Sequence, residues 1–142
     1  MAPVNTRRVV LGALAGGVVW SLWSIVVNMV ILRSRYAIAE TQSHTLLDHA
    51  RYSAFLAYWF ITIFLLSYVV AWLYSSVRGT RGASPGTALT VGLLVGFTVG
   101  FPTNLIVASW VPLSRHFPLW WMLDLWLGTI MASLVAGALY KD

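Results

Sequence analysis

A single carboxylate, Asp124, stands inside the otherwise uncharged run 117–140. An acid in such surroundings is rare and by default functional. At mid-membrane it costs about 2.5–3.5 kcal/mol on insertion scales, so it must face protein and be either hydrogen-bonded or protonated. Counted from the start of its run, Asp124 lies about 10 Å deep at the helical rise of 1.5 Å per residue. Asn104, counted back from the short turn at 112–116, falls at nearly the same depth, and Asn28 lies toward the same end of the first apolar run. Asn28, Asn104 and Tyr58 are therefore the expected partners of Asp124, with Arg115 able to reach down from the turn. Two chemistries compete for this intramembrane polar site. One is a proton or cation site in a small transporter; the other is a polar clamp that fixes helix register. The runs hold no second charge and no pair of discontinuous helices, which favours the clamp.

The histidines offer a different chemistry. Glu40, His44 and Asp48 are four apart, so a helix there would present all three on one face, with His49 adjacent and His116 approaching from the 112–116 turn. Imidazole and carboxylate ligands suit a divalent metal ion of the Zn, Fe or Ni kind. The competing reading is a solvated face held by glutamate–histidine and histidine–aspartate pairs. Beyond that metal, no cofactor is expected. No histidine lies in the apolar runs to hold a haem, and no phosphate-binding glycine loop, nucleophile elbow or HExxH motif occurs. The chain reads away from an enzyme.

These residues must be positioned by four apolar runs, 9–32, 53–77, 87–111 and 117–140, of which only the last contains a charge. Each is long enough for a helix to cross a hydrocarbon layer of about 30 Å, and none shows the alternation of a barrel strand. The expected architecture is all-α: a single membrane-embedded domain over 1–142, a four-transmembrane-helix bundle, with a short interfacial helix in the 33–51 connection. Composition agrees, with 59% hydrophobic and 9% charged residues. Cysteine is absent, which removes disulfides and thiolate metal sites. The formal charge of +5 comes from cations at the ends of the runs, so it reads as topology signal and headgroup contact, not a nucleic-acid surface.

Four crossings put Arg7, Arg8, Arg78, Arg81 and Lys141 on one side and Arg33, Arg35, Arg51 and Arg115 on the other. That five-to-four division favours both termini in the cytoplasm. The Arg7-Arg8 start also resembles an export signal, but the apolar stretch behind it is long enough to span and is expected to be retained. The segment 78–86 reads as a flexible Gly/Ser/Pro turn.

Small residues recur every four positions: Gly12 and Gly16 continue to Trp20, Ser24 and Asn28; Gly92, Gly96 and Gly100 continue to Asn104; Asp124 continues to Gly128, Ala132 and Ala136. In lipid, helices associate through such close-approach stripes and through interhelical hydrogen bonds, so these three faces are expected to meet one another. The bulky second run is expected to cover the outside. A shift of eighty residues aligns Gly12 with Gly92 and Gly16 with Gly96, an echo compatible with a duplicated two-helix unit.

The opening Arg7-Arg8-Val9-Val10-Leu11-Gly12, the run Gly16-Gly17-Val18-Val19 leading to Asn28, the acid early in the last helix and the ending Gly137-Ala138-Leu139-Tyr140-Lys141 together resemble uncharacterised small bacterial four-helix integral membrane proteins. The resemblance implies an inner-membrane location and no particular activity. It also implies an acid in the first helix, where this chain has Ser24. The leading expectation is a structural or accessory component of a membrane assembly, a homo-oligomer or part of a larger complex, in contact with the lipid bilayer. The alternatives are a proton- or cation-coupled transporter using Asp124 and an outer-face metal-binding protein.

Overall fold

Local capping sets where the helices begin and end. Asn5 accepts from the Arg8 amide and opens α1, Thr6–Ile25, which continues without a break into a π-helical segment, Val26–Ile31. A short helix follows, α2 at Arg33–Thr41, and then α3 at Phe55–Arg81. Gly82, at φ +86°, stops α3 in a conformation that side chains disfavour, and Ser84 caps α4, Pro85–Trp110, with proline at its first position. α5 spans His116–Leu139. The computed structural model describes residues 4–42, 44–47 and 49–140. The segment read as a flexible 78–86 turn is mostly helical, because Gly82 and the Ser84-Pro85 cap compress the reversal into three residues.

Four helices, Thr6–Ile31, Phe55–Arg81, Pro85–Trp110 and His116–Leu139, are long and apolar enough to cross a membrane. Their directions alternate. At one end the Asn5 amide donates to the Tyr140 hydroxyl, and Arg78 donates to the Tyr140 carbonyl while its guanidinium lies 4.5 Å from the Tyr140 ring centre. At the other end α2 folds back over the start of α5, burying Val27, Leu32, Ala39 and Phe117 together.

The organising helix is α5. On one side it receives α1: a Cβ added to Gly12 would sit 3.1 Å from the Ala136 Cα, and one on Gly16 would sit 3.0 Å from the Ala132 Cα. On its other side it receives α4, with Gly92 against Ile130, Gly96 against Trp126 and Thr129, and Gly100 against Met122. The second seam is polar as well as close. Thr129 and Ser133, fully buried and four apart, donate to the Gly92 and Ala88 carbonyls at 3.0 and 2.7 Å.

Two expectations are corrected here. The stripes of the first, third and fourth runs do not meet in one interior: among the described residues α1 and α4 make no contact, because α5 stands between them. Nor does the second run merely cover the outside. Ile63, Ser67, Val70, Ala71 and Tyr74 give α3 a buried face, Phe64 fills the notch at Gly17, and Tyr74 reaches Gly137.

The α4–α5 seam yields a direct prediction. A Cβ at Gly92 would lie 2.6 Å from the Ile130 Cα, a backbone atom that cannot rotate away. Gly92→Ala is expected to destabilise the bundle by about 1–3 kcal/mol, as overpacking does. Gly79, in α3, has open space around it. Gly79→Ala is expected to be neutral or to stabilise by up to about 1 kcal/mol through helix propensity. Thermal unfolding of both variants in one detergent checks the contrast.

Candidate functional site

Asp124 points from α5 into α1 and is 1% exposed. Trp20 and Ser24, one helical turn apart, face it from α1: the Trp20 indole donates to Oδ1 at 3.3 Å and the Ser24 hydroxyl to Oδ2 at 2.7 Å. Asn28, a further turn along, donates to Oδ2 at 3.2 Å. The carboxylate thus takes three donors from one neighbouring helix.

The π-helical segment begins two residues beyond Ser24. The Asn28 side chain donates to the Ser24 carbonyl at 2.9 Å, occupying the acceptor that an α-helical Asn28 amide would use. Farther along, the Leu32 amide bonds five residues back, to Val27, at 2.9 Å. Widened turns of this kind concentrate at functional sites because they re-aim side chains. Here the widening surrounds Asn28.

A second layer extends the network. The Tyr36 hydroxyl, on α2, donates to Asn28 Oδ1 at 2.8 Å and accepts from the Trp121 indole at 2.9 Å. Burial raises the Tyr36 phenol above the ordinary tyrosine range, so at neutral pH it remains a donor. The Trp59 indole, from α3, donates to the Ser24 hydroxyl at 3.0 Å. From Trp121 through Tyr36 and Asn28 to Asp124, each group donates to the next one toward the acid. Such a one-way arrangement anchors a carboxylate; a cation would meet donors on every side of it.

Asn104 and Tyr58 do not join Asp124. Asn104 is buried on α4 and donates to its own Gly100 carbonyl at 2.7 Å. Tyr58 is 57% exposed on α3. Depth alone placed them near the acid, but Asn104 sits on the helix separated from α1 by α5. Arg115 lies in a different groove, between α4 and α5. The partners that spacing did not nominate are Trp20, Ser24, Trp59, Tyr36 and Trp121. The first two lie in the four-residue stripe that begins at Gly12, where they read as packing positions.

The histidine cluster does not assemble as its spacing suggested. α2 ends at Thr41, and His44 follows it at φ +50°, outside any helix that would align it with Glu40. His49 and His116 are exposed, and Asp48 lies outside the described residues. Among the described residues no three His, Asp or Glu side chains converge on a metal position.

Comparison of the chain with protein-family models, with curated proteins and with solved structures gives no match.

Proposed function

We propose that this chain is a multi-pass membrane protein that serves as a structural or accessory component of a membrane assembly. The observation that supports this most directly is the use of its polar interior. Asp124, Ser24, Asn28, Thr129 and Ser133 bind the chain's own helices to one another, and Asp124 has almost no accessible surface. The outward faces are apolar, with Leu22, Val30, Leu94 and Ile106 each at least 60% exposed. Water would not tolerate so much contiguous apolar surface, whereas a hydrocarbon layer is its natural solvent. On this reading the aromatic and cationic residues at the helix ends sit at the interfaces, and α2, with Arg33 and Arg35, lies along one of them. Arg7, Arg8, Arg78, Arg81 and Lys141 favour cytoplasmic termini, and a bacterial inner membrane suits the composition.

The chain's small-residue faces are consumed internally, so association with a second copy or another protein falls to its outer surface. An apolar groove of about 580 Å³ runs between α1 and α3, flanked by Val10, Leu14, Phe60, Phe64 and Tyr68. It has the dimensions to take part of a partner helix. With a photo-crosslinking residue at Leu14, native membranes are expected to yield one discrete protein adduct, while the same residue at Leu94 on α4 yields none. Adducts to lipid alone from both positions, together with a monomer in mild detergent, would overturn the reading.

The transporter reading draws its support from the same acid. A proton relay through Asn28 would need the amide to accept and release a proton in turn, which an amide does poorly. The one-way order of donors from Trp121 to Asp124 therefore supports the clamp.

A further inference from the structure

The strongest unassigned feature is a groove of about 160 Å³ between α4 and α5, beside the turn that joins them. Its contents are ordered by polarity. At its mouth stands Arg115, exposed, its guanidinium without a hydrogen bond or ion pair among the described residues. Arg115 immediately precedes α5, whose first turn carries no acid, so the helix's partial positive charge adds to that of the guanidinium. Deeper in, Asn104 lies six residues before the end of α4, about 9 Å along the helix. It is 7% exposed, and although one N–H goes to the Gly100 carbonyl, its Oδ1 and its other N–H have no partner among the described residues. That oxygen and second N–H are the polar groups the groove offers an occupant. The remaining walls, among them Phe101, Leu105, Leu119 and Met122, are apolar.

We propose that this groove holds an anionic phospholipid, its phosphate at Arg115 and the start of α5, its glycerol ester region at Asn104, and an acyl chain against the apolar walls. The assignment rests on the membrane reading above. Charge complementarity selects the occupant: Arg115 is the one charged residue lining the groove, and it stands at the acid-free start of α5 beside apolar walls. A free anion would leave both Asn104 and the apolar walls unmatched, and a zwitterionic lipid would bring its ammonium group beside the Arg115 cation.

The test uses the full chain in nanodiscs of phosphatidylcholine containing a minor fraction of phosphatidylglycerol, with retained lipid counted by native mass spectrometry after release. The parent is expected to retain phosphatidylglycerol in preference to phosphatidylcholine. Arg115→Gln is expected to lower that preference about tenfold, the worth of one charge-assisted contact. Arg51→Gln, another exposed cation, should leave it unchanged, and Asn104→Leu should weaken retention of both lipids. Added inorganic phosphate should displace nothing. Equal retention by the parent and Arg115→Gln would overturn the proposal, as would displacement by phosphate. Because Arg115 is exposed, its variant folds even if Asn104→Leu does not. Brominated acyl chains separate the two levels of inference: unquenched tryptophan fluorescence would refute membrane embedding itself, whereas quenching with no lipid preference would refute only this groove.

Discussion

Gly128→Ala is expected to dismantle the α1–α5 contact. Any Cβ at this position would fall within the Trp20 indole, at its Nε1 edge. The ring has nowhere to go, being fully buried and packed with Ile63 and Ala132. The new methyl therefore forces the helices apart or ejects the indole, and either outcome breaks the hydrogen bond from Trp20 to Asp124. Overpacking usually costs about 1–3 kcal/mol, and loss of a bond to a buried carboxylate adds to it, so a total near 3 kcal/mol or more is expected. The measurement is the unfolding midpoint in detergent, and a second substitution sharpens it. Trp20→Phe shortens the ring system, so the double variant Trp20→Phe/Gly128→Ala should be more stable than Gly128→Ala alone. An unchanged midpoint in Gly128→Ala would mean that the indole does not occupy this notch.

Substitutions at Asp124 carry the second large effect, and their ranking separates clamp from transporter. Asp124→Ala leaves the Trp20 indole, the Ser24 hydroxyl and an Asn28 N–H without their acceptor, in an interior that water does not reach. Individual interhelical hydrogen bonds in membranes average only about 0.6 kcal/mol, but unsatisfied buried donors and a new cavity both add to the loss, so about 2–4 kcal/mol is expected. Asp124→Asn keeps the volume and one acceptor oxygen, and should lose only about 1 kcal/mol. For a clamp, stability falls in the order parent, Asn, Ala, and proton flux into liposomes is the same in all three. In a proton-coupled transporter the well-folded Asn variant would lose all coupled flux. That result, in a protein whose parent carries such flux, would replace the clamp.

Length and hydropathy made the four long helices readable, because a run of more than twenty apolar residues leaves few alternatives. The small-residue faces were equally visible as surfaces for close approach. What could not be read was their counterpart. Gly12 and Gly92 look alike in spacing, and the eighty-residue echo tempts one to pair their helices, yet each abuts a different side of α5. The α5 side that receives α4 is built from Thr129 and Ser133, whose role depends on carbonyls exposed by the glycines opposite. Nothing in one helix announces that. The π-helical turn has no strong local signature either, since it follows from Asn28 engaging the Ser24 carbonyl. Tyr36 enters the network only because α2 doubles back over Phe117, a tertiary event with a ring-centre distance of 5.0 Å. Histidine spacing misled for the opposite reason: periodicity of four has meaning only while the helix lasts, and α2 stops at Thr41.

The position of α5 also sets a timetable. A chain emerges from the ribosome N-terminus first, and the helix that both α1 and α4 require is made after both of them. α1 and α3 can pair early, through Phe64 at Gly17. Until residues 116–139 arrive, however, the notches at Gly12, Gly16, Gly92 and Gly96 stand open, and Trp20, Ser24 and Asn28 have no acid to grip. Removal of α5 would thus leave three helices that never mature into a unit, making the arrival of α5 the checkpoint for the bundle's survival against membrane proteases.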